Sequence, residues 1–378
     1  MNNKDGSNLI FLIGLPRSGT TLLQVLLGQN PEIFTYSESW VLLPLVFGVK
    51  NGGMIAPSFG MNIYRTAIQD LLSQSESEEA YLVAVRSMAC QLYQSCLDAS
   101  GKKIFLDKTP KYYQIMTDIP KIFPKAKIIV LLRNPLAVLS SITRTWFGGK
   151  CSSILSNLVH LHSVFIGPKA VSEGIEEIKG KCYVVKYEDL VENPEKELTQ
   201  LCDYIGIDYS EEMLSYTFRE RDYGRLGDRK GIAQHSKPST ESTSKWVNVF
   251  QEYSNYIFAK NYLKYLGTDL FSNLGYDYKE TEEKISLKWN QHSSFNKILK
   301  KTSFFLNCLK TSLKGTITSI LSSGYHGWAS NWEIFYPTFP PKIPDFPKQE
   351  ISLNYPIIST VKPRIPITQY WEKINQID

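Results

Sequence analysis

Leu9-Ile10-Phe11-Leu12-Ile13-Gly14-Leu15-Pro16-Arg17-Ser18-Gly19-Thr20-Thr21 is the stretch on which the fold turns. It opens with an unbroken apolar run, Leu9 to Ile13, the pattern of a strand buried on both faces of a parallel sheet. Leu22, Leu23, Val25, Leu26 and Leu27 then give an apolar face to a helix expected from Ser18 to about Gly28, and Asn30-Pro31 stops it. A glycine loop between strand and helix turns several backbone N–H groups toward one point. The helix N-terminus adds positive potential there, so an anion is the natural occupant.

The spacing of Gly14 and Gly19 is that of a phosphate-binding P-loop, but nucleotide triphosphatases carry Lys where this chain has Thr20. Without that lysine a tight grip on a triphosphate is hard to build. The nearest cation is Arg17, whose planar fork suits two oxygens of a phosphate or sulfate. The plainer alternative is a helix start with no ligand.

Outward from this loop, short apolar runs alternate with helical patterns. Glu32–Tyr36, Lys103–Leu106, Lys127–Leu132 and Lys181–Lys186 read as further strands. Two amphipathic helical patterns fill 62–100, separated by an acidic, Ser-rich stretch at 73–79. Asn134-Pro135 opens a helix through Ile142, and Asn193-Pro194 opens one over Glu195–Ile205, each with proline where its missing N–H costs little. The alternation implies an α/β, P-loop-like three-layer fold: a central parallel sheet with helices on both faces. One domain is expected over 1–280, followed by an extension over 281–378 with helical and Pro-rich parts.

Hydrophobic residues make up 43% of the 378-residue chain, which supports a sizeable core and argues against disorder. The net charge of +5 is regional: seven lysines and no acid lie between Lys284 and Trp332, so nothing suggests a nucleic-acid partner. Within that region Ile298, Thr302, Phe305, Leu309, Leu313 and Ile317 recur at helical steps among lysines. Residues 295–320 thus read as a basic amphipathic helix, either packed on the core with its lysines in water or touching a membrane surface. Six cysteines form no C-x-x-C pair and no zinc-ligand spacing, which fits a reducing, cytoplasmic setting and no metal. No run approaches the length of a membrane span.

Arg17, Glu38, Lys108, Arg133 and Tyr187 each follow a predicted strand, and in an open parallel sheet such positions share the edge where ligands bind. Ser141 lies two helical turns beyond Arg133, about 12 Å of rise, so both can reach one ligand lying over the helix start. Plainer roles are an arginine capping the sheet, a core tyrosine, a surface glutamate and a surface lysine near a turn. His160 and His162, two apart on a helix, face different sides and make a poor metal or base pair.

The run Ile13–Glu38 resembles the 5′-phosphosulfate loop of sulfotransferases that use 3′-phosphoadenosine 5′-phosphosulfate (PAPS). It is most similar to the tyrosylprotein branch and its bacterial relatives, through Pro-Arg-Ser-Gly-Thr-Thr-Leu followed by a Pro-Glu pair and an acidic motif. The resemblance spans roughly 8–275. It implies that Arg17, Ser18, Gly19, Thr20 and Thr21 bind the 5′-phosphosulfate, that Arg133 and Ser141 bind the 3′-phosphate, and that Tyr187 contacts the adenine. Asp107-Lys108-Thr109-Pro110 resembles the Glu-Lys-Thr-Pro segment of carbohydrate sulfotransferases, whose lysine faces the transferring group. Arg144 sits one residue off a further family cation. The late segment 227–246 resembles the loop closing over the nucleotide, with Lys230 and Ser236 as its contacts. The donor is already activated, so the site needs a base for the acceptor hydroxyl and cations for the leaving oxygen. Glu38 is the candidate base, and Lys108 and Arg17 are the candidate cations. The acceptor expected is a hydroxyl on a glycan, glycolipid, tyrosine or small alcohol. Two rivals stand: a nucleotide-dependent kinase, and a non-catalytic nucleotide- or polyanion-binding module.

Overall fold

The structure is a computed structural model and describes residues 5–47, 67–69, 71–73, 78–216, 232–233 and 235–290. The basic helix expected over 295–320, the Pro-rich tail and Lys230 lie outside the described residues.

Five strands form an all-parallel sheet: β1 (Leu9–Gly14), β2 (Ile33–Thr35), β3 (Ile104–Lys108), β4 (Lys127–Leu132) and β5 (Cys182–Lys186), in the order β2-β3-β1-β4-β5. The longer helices are α1 (Thr20–Leu27), α2 (Glu78–Ser100), α3 (Pro135–Trp146), α4 (Gly167–Glu177), α5 (Pro194–Ile205), α6 (Tyr253–Asn273) and α7 (Tyr278–Asn290). β1 is central. Ile10 pairs with Leu106 on one side and Lys127 on the other, and Leu12 with Lys108 and Ile129.

Alternation along the strands divides the core into two layers. Ile10, Leu12, Leu106, Ile129, Leu131 and Val185 are buried with Leu22, Leu23 and Leu26 of α1 and Leu198 and Leu201 of α5. Phe11, one residue out of phase, packs on Tyr93 of α2 and on Tyr112 and Phe123, with ring centroids 6.5, 6.4 and 5.1 Å away. The sheet is therefore covered on both faces, as its continuous apolar strands require.

Several element boundaries differ from the sequence reading, three of them by two residues or more next to the site. α1 begins at Thr20, leaving Ser18 and Gly19 in the loop. α3 continues four residues past Ile142 to Trp146. β3 runs two residues past Leu106, pairing Phe11 with Asp107 and Leu12 with Lys108. Charged residues at a strand end suggest a loop, but both of these are buried and have partners inside the fold. The last described helix, α7, passes through residue 280; its Ile285 is fully buried and its Thr281 accepts a hydrogen bond from Asn134 Nδ2 at 3.1 Å. No helix among the described residues is long and apolar enough to cross a membrane.

The chain leaves β1 toward β2 and β3, then crosses to build β4 and β5 on the other side. The carboxyl end of β1 is thus the topological switch point, where open α/β sheets form a crevice.

Candidate active site

The loop after β1 occupies that crevice. Arg17 has φ 72° and Gly19 φ 101°, with Ser18 between them. Such a left-handed turn gathers successive N–H groups into an anion-binding concavity. Both glycines are dictated by contact. A Cβ on Gly14 would lie 2.7 Å from the Leu131 carbonyl, and one on Gly19 would lie 2.3 Å from the Tyr187 ring. Thr20 is buried and Thr21 partly so. Ser18 is also buried, and its Oγ is a polar atom with no hydrogen-bond partner.

On the β4–β5 side, side chains converge on the loop. Arg17 Nε donates to Ser141 Oγ at 3.1 Å, and Arg133 Nη1 donates to the Arg17 carbonyl at 3.0 Å. The Arg133 guanidinium lies 4.2 Å over the Tyr187 ring, whose hydroxyl shares a hydrogen bond with Ser242 Oγ at 2.6 Å. Burial pulls the Arg133 guanidinium below its ordinary value, with the neighbouring Tyr187 and Glu188 opposing. Arg133 Nε is a second buried polar atom without a partner. Two orphaned polar atoms beside a glycine nest fit an anionic group, since buried polar atoms are nearly always satisfied.

On the β2–β3 side stands an ion pair. Lys108 Nζ lies 2.9 Å from Glu38 Oε1; the lysine side chain is fully buried and the glutamate is 14% exposed. Trp40 Nε1 donates to the other carboxylate oxygen at 3.0 Å. Gln24 of α1 donates to the Ser37 carbonyl at 3.0 Å, tying this turn to the helix that follows the glycine loop. Glu32, by contrast, pairs with Lys103 at the opposite end of the strands.

Arg17, Ser18, Gly19, Arg133, Ser141 and Tyr187 are thus brought together, and Glu38 and Lys108 are joined to each other. Ser236 is exposed, its carbonyl accepting from the Tyr216 amide at 2.9 Å. Arg144 is exposed on α3. His160 stacks on Trp146 with centroids 4.3 Å apart, while His162 Nδ1 meets the Tyr113 hydroxyl at 2.7 Å. Burial, assisted by Lys111, pulls both imidazoles down to about 4. Among the described residues no group of three or more His, Cys, Asp or Glu is placed to hold a metal ion.

Sequence reasoning passed over several neighbours. Ser242 bridges Tyr187 and Arg133, its carbonyl accepting from Arg133 Nη2 at 3.4 Å, and nothing in its local sequence announces that. Trp146 lies under the Arg17 guanidinium, 5.6 Å from ring centroid to Cζ. Asp107 enters the sequence reading only as part of Asp107-Lys108-Thr109-Pro110, beyond the strand expected to end at Leu106.

Comparison with known proteins identifies the family. The chain is 29% identical over 295 residues to the nodulation protein NoeE of Sinorhizobium fredii, a match covering 71% of this chain and 66% of that protein. It is 28% identical over 255 residues to protein-tyrosine sulfotransferase 1 of Danio rerio, covering 65% of this chain and 67% of the other. Among solved structures, the sulfotransferase domain from the curacin biosynthetic pathway is 22% identical with a TM-score of 0.44, over 64% of this chain and 90% of that domain. A model of the Sulfotransferase family matches residues 9–211, from the first residue of β1 to beyond α5. That match takes in more than half of the sequence, and the chain belongs to the sulfotransferase family.

Proposed function

We propose that this chain moves the sulfuryl group of PAPS to an acceptor hydroxyl. The observation that carries the reading is the pair of orphaned polar atoms, Ser18 Oγ and Arg133 Nε, at a glycine nest with Arg17 inside it and the Glu38–Lys108 pair across β1. In this reading the amides and hydroxyls of Ser18, Gly19, Thr20 and Thr21 hold the 5′-phosphosulfate. Arg133 and Ser141 hold the 3′-phosphate, Tyr187 marks the adenine side, and Lys230 and Ser236 belong to the loop that closes over the nucleotide.

PAPS supplies an activated sulfuryl group, so the protein has three tasks. The first is positioning, which the loop and Arg133 perform. The second is charge stabilisation at the leaving oxygen, assigned to Arg17 and Lys108. The third is removal of the acceptor proton, assigned to Glu38 Oε2 or Oε1, which stand beside a cation and at the mouth of the crevice. The neutral histidines and the exposed Arg144 have no part in it. Protein-tyrosine sulfotransferase 1, to which the chain is similar, is named for a tyrosine acceptor, and a phenolic or sugar hydroxyl is the class proposed here.

Calorimetry with adenosine 3′,5′-bisphosphate (PAP) and ATP side by side tests the donor. PAP should bind in the presence of EDTA and ATP should bind far more weakly; a clear ATP preference would overturn the reading in favour of a kinase. Glu38→Gln then separates an enzyme from a binding module. It should keep PAP affinity and lose about 10²–10⁴-fold in turnover, whereas a module would show no transfer in either form.

A further inference from the structure

Two neighbouring residues at the end of β3 grip two neighbouring residues of the turn that carries Glu38. Lys108 Nζ reaches Glu38 Oε1 at 2.9 Å, and Ser39 Oγ donates to Asp107 Oδ2 at 2.5 Å. Side chains alternate across a strand, so the turn is held from both sides of the backbone. The Glu38–Lys108 contact belongs to the site already described, and the Ser39–Asp107 contact does not.

Asp107 is 2% exposed, and its hydrogen-bond partners are hydroxyls. Tyr93 OH donates to Oδ2 at 2.7 Å, Tyr112 OH to Oδ2 at 3.2 Å and Thr109 Oγ1 to Oδ1 at 3.0 Å. Three of its four hydroxyl partners also receive consecutive amides of the turn. Trp40 N donates to Thr109 Oγ1 at 3.3 Å, Val41 N to Ser39 Oγ at 3.4 Å and Leu42 N to Tyr112 OH at 3.1 Å. A hydroxyl has one proton. Each of these three accepts an amide on a lone pair while it donates to Asp107, whose carboxyl oxygens are their shared acceptor, and Ser39 Oγ and Tyr112 OH also lie 3.1 Å apart. Burial pushes the Asp107 carboxyl up, while the four hydroxyls pull the other way.

The turn needs such support. Ser37 at φ 51° and Trp40 at φ 55° are non-glycine residues in the left-handed region, on either side of Glu38 and Ser39. That backbone persists only where its surroundings over-determine it.

We propose that Asp107 is a positioning residue for sulfuryl transfer. By directing the protons of Ser39, Thr109 and Tyr112, it locks the turn 40–42 and so sets where the Glu38 carboxylate stands. The proposal rests on the reading of Glu38 as the base, and its test can fail separately.

Trp40 Nε1 donates to Glu38 Oε2 at 3.0 Å, so its indole proton reports the position of that carboxylate. In protein labelled with ¹⁵N-tryptophan, the Trp40 resonance is assigned by its loss in Trp40→Phe. Asp107→Asn, which introduces a donor, and Ser39→Ala should both shift that resonance. Ser39→Thr, which keeps the hydroxyl, should return it to its wild-type place. PAP affinity by calorimetry should stay within about twofold in all three, since the β4–β5 side is untouched. With PAPS and p-nitrophenol, kcat should fall about 10²-fold in the first two variants and little in the third. Unmoved Trp40 resonances with unchanged kcat would overturn the proposal, and so would a loss of PAP affinity equal to the loss of kcat. If Asp107→Asn does not fold, the Ser39 pair decides alone. Full activity in Glu38→Gln alongside a shifted resonance in Ser39→Ala would remove the base and leave the positioning of the turn standing.

Discussion

At Gly19 one methyl group separates a working loop from a blocked one. Its φ of 101° is unfavourable for any side chain, and the added Cβ would meet the Tyr187 ring at 2.3 Å. Gly19→Ala should therefore weaken PAP binding about tenfold to a hundredfold, matching ~1–3 kcal/mol of backbone strain, with little change in the far-ultraviolet spectrum. Lys111 gives a second test at this scale. It is 8% exposed and donates to the Val159 carbonyl at 3.0 Å and to Ser163 Oγ at 2.6 Å. Burial pulls its ammonium from 10.5 down to about 8, with Glu38 opposing. Between those values the unfolded chain holds a proton that the folded chain has released, so stability should rise with pH from about 8 to 10.5. Thermal melts of wild type and Lys111→Met across that window should diverge, the variant lacking this rise. His160 and His162 obey the same sign lower down: neutral when folded, they draw protons on unfolding, and stability drains away as pH falls from 6.5 toward 4.

Elements were legible where their own residues decide them. β4 matches its sequence reading at both ends because Lys127–Leu132 is apolar after its first residue and Asn134-Pro135 stands beyond it. Asn134 caps α3, its Oδ1 accepting from Leu136 N at 2.9 Å, and its amide donates to Glu188 Oε1 at 3.2 Å. Asn134→Ala should cost about 1–2 kcal/mol in urea unfolding from the cap alone. PAP affinity should drop as well, since Arg133 precedes the lost cap. β3 was less legible. Asp107 and Lys108 are strand residues only because Tyr93, Tyr112 and Glu38 receive them, and those partners are distant in sequence. The same limit hid Ser242, whose role depends on a chain segment folding back over Tyr187. The loop after β1 was legible as a turn between a strand and a helix, because a strand end, a turn and a helix start are all local.

At the scale of the whole molecule, α7 is the last described helix and is tied into the core. Its Ile285 is fully buried and its Thr281 is tied to Asn134, beside the Arg133 site. A chain ending after Tyr276 should melt several degrees lower than one ending after Asn290, having lost about 1.5–3 kcal/mol of apolar burial from Ile285 alone. Liposome co-sedimentation of the 290-residue chain against full length tests the lipid contact suggested for 295–320; equal pelleting would remove it. The strand order has a further consequence. Because the sheet grows outward from β1 in both directions, Glu38 and Lys108 are encoded between residues 33 and 108, whereas Arg133, Ser141 and Tyr187 are encoded between 127 and 187. The two walls of the crevice are separate stretches of gene, with the loop after β1 between them. On the function proposed above, a chimera exchanging only the first stretch should keep its PAP affinity, since the anchors proposed for that nucleotide lie in the loop and in the second stretch.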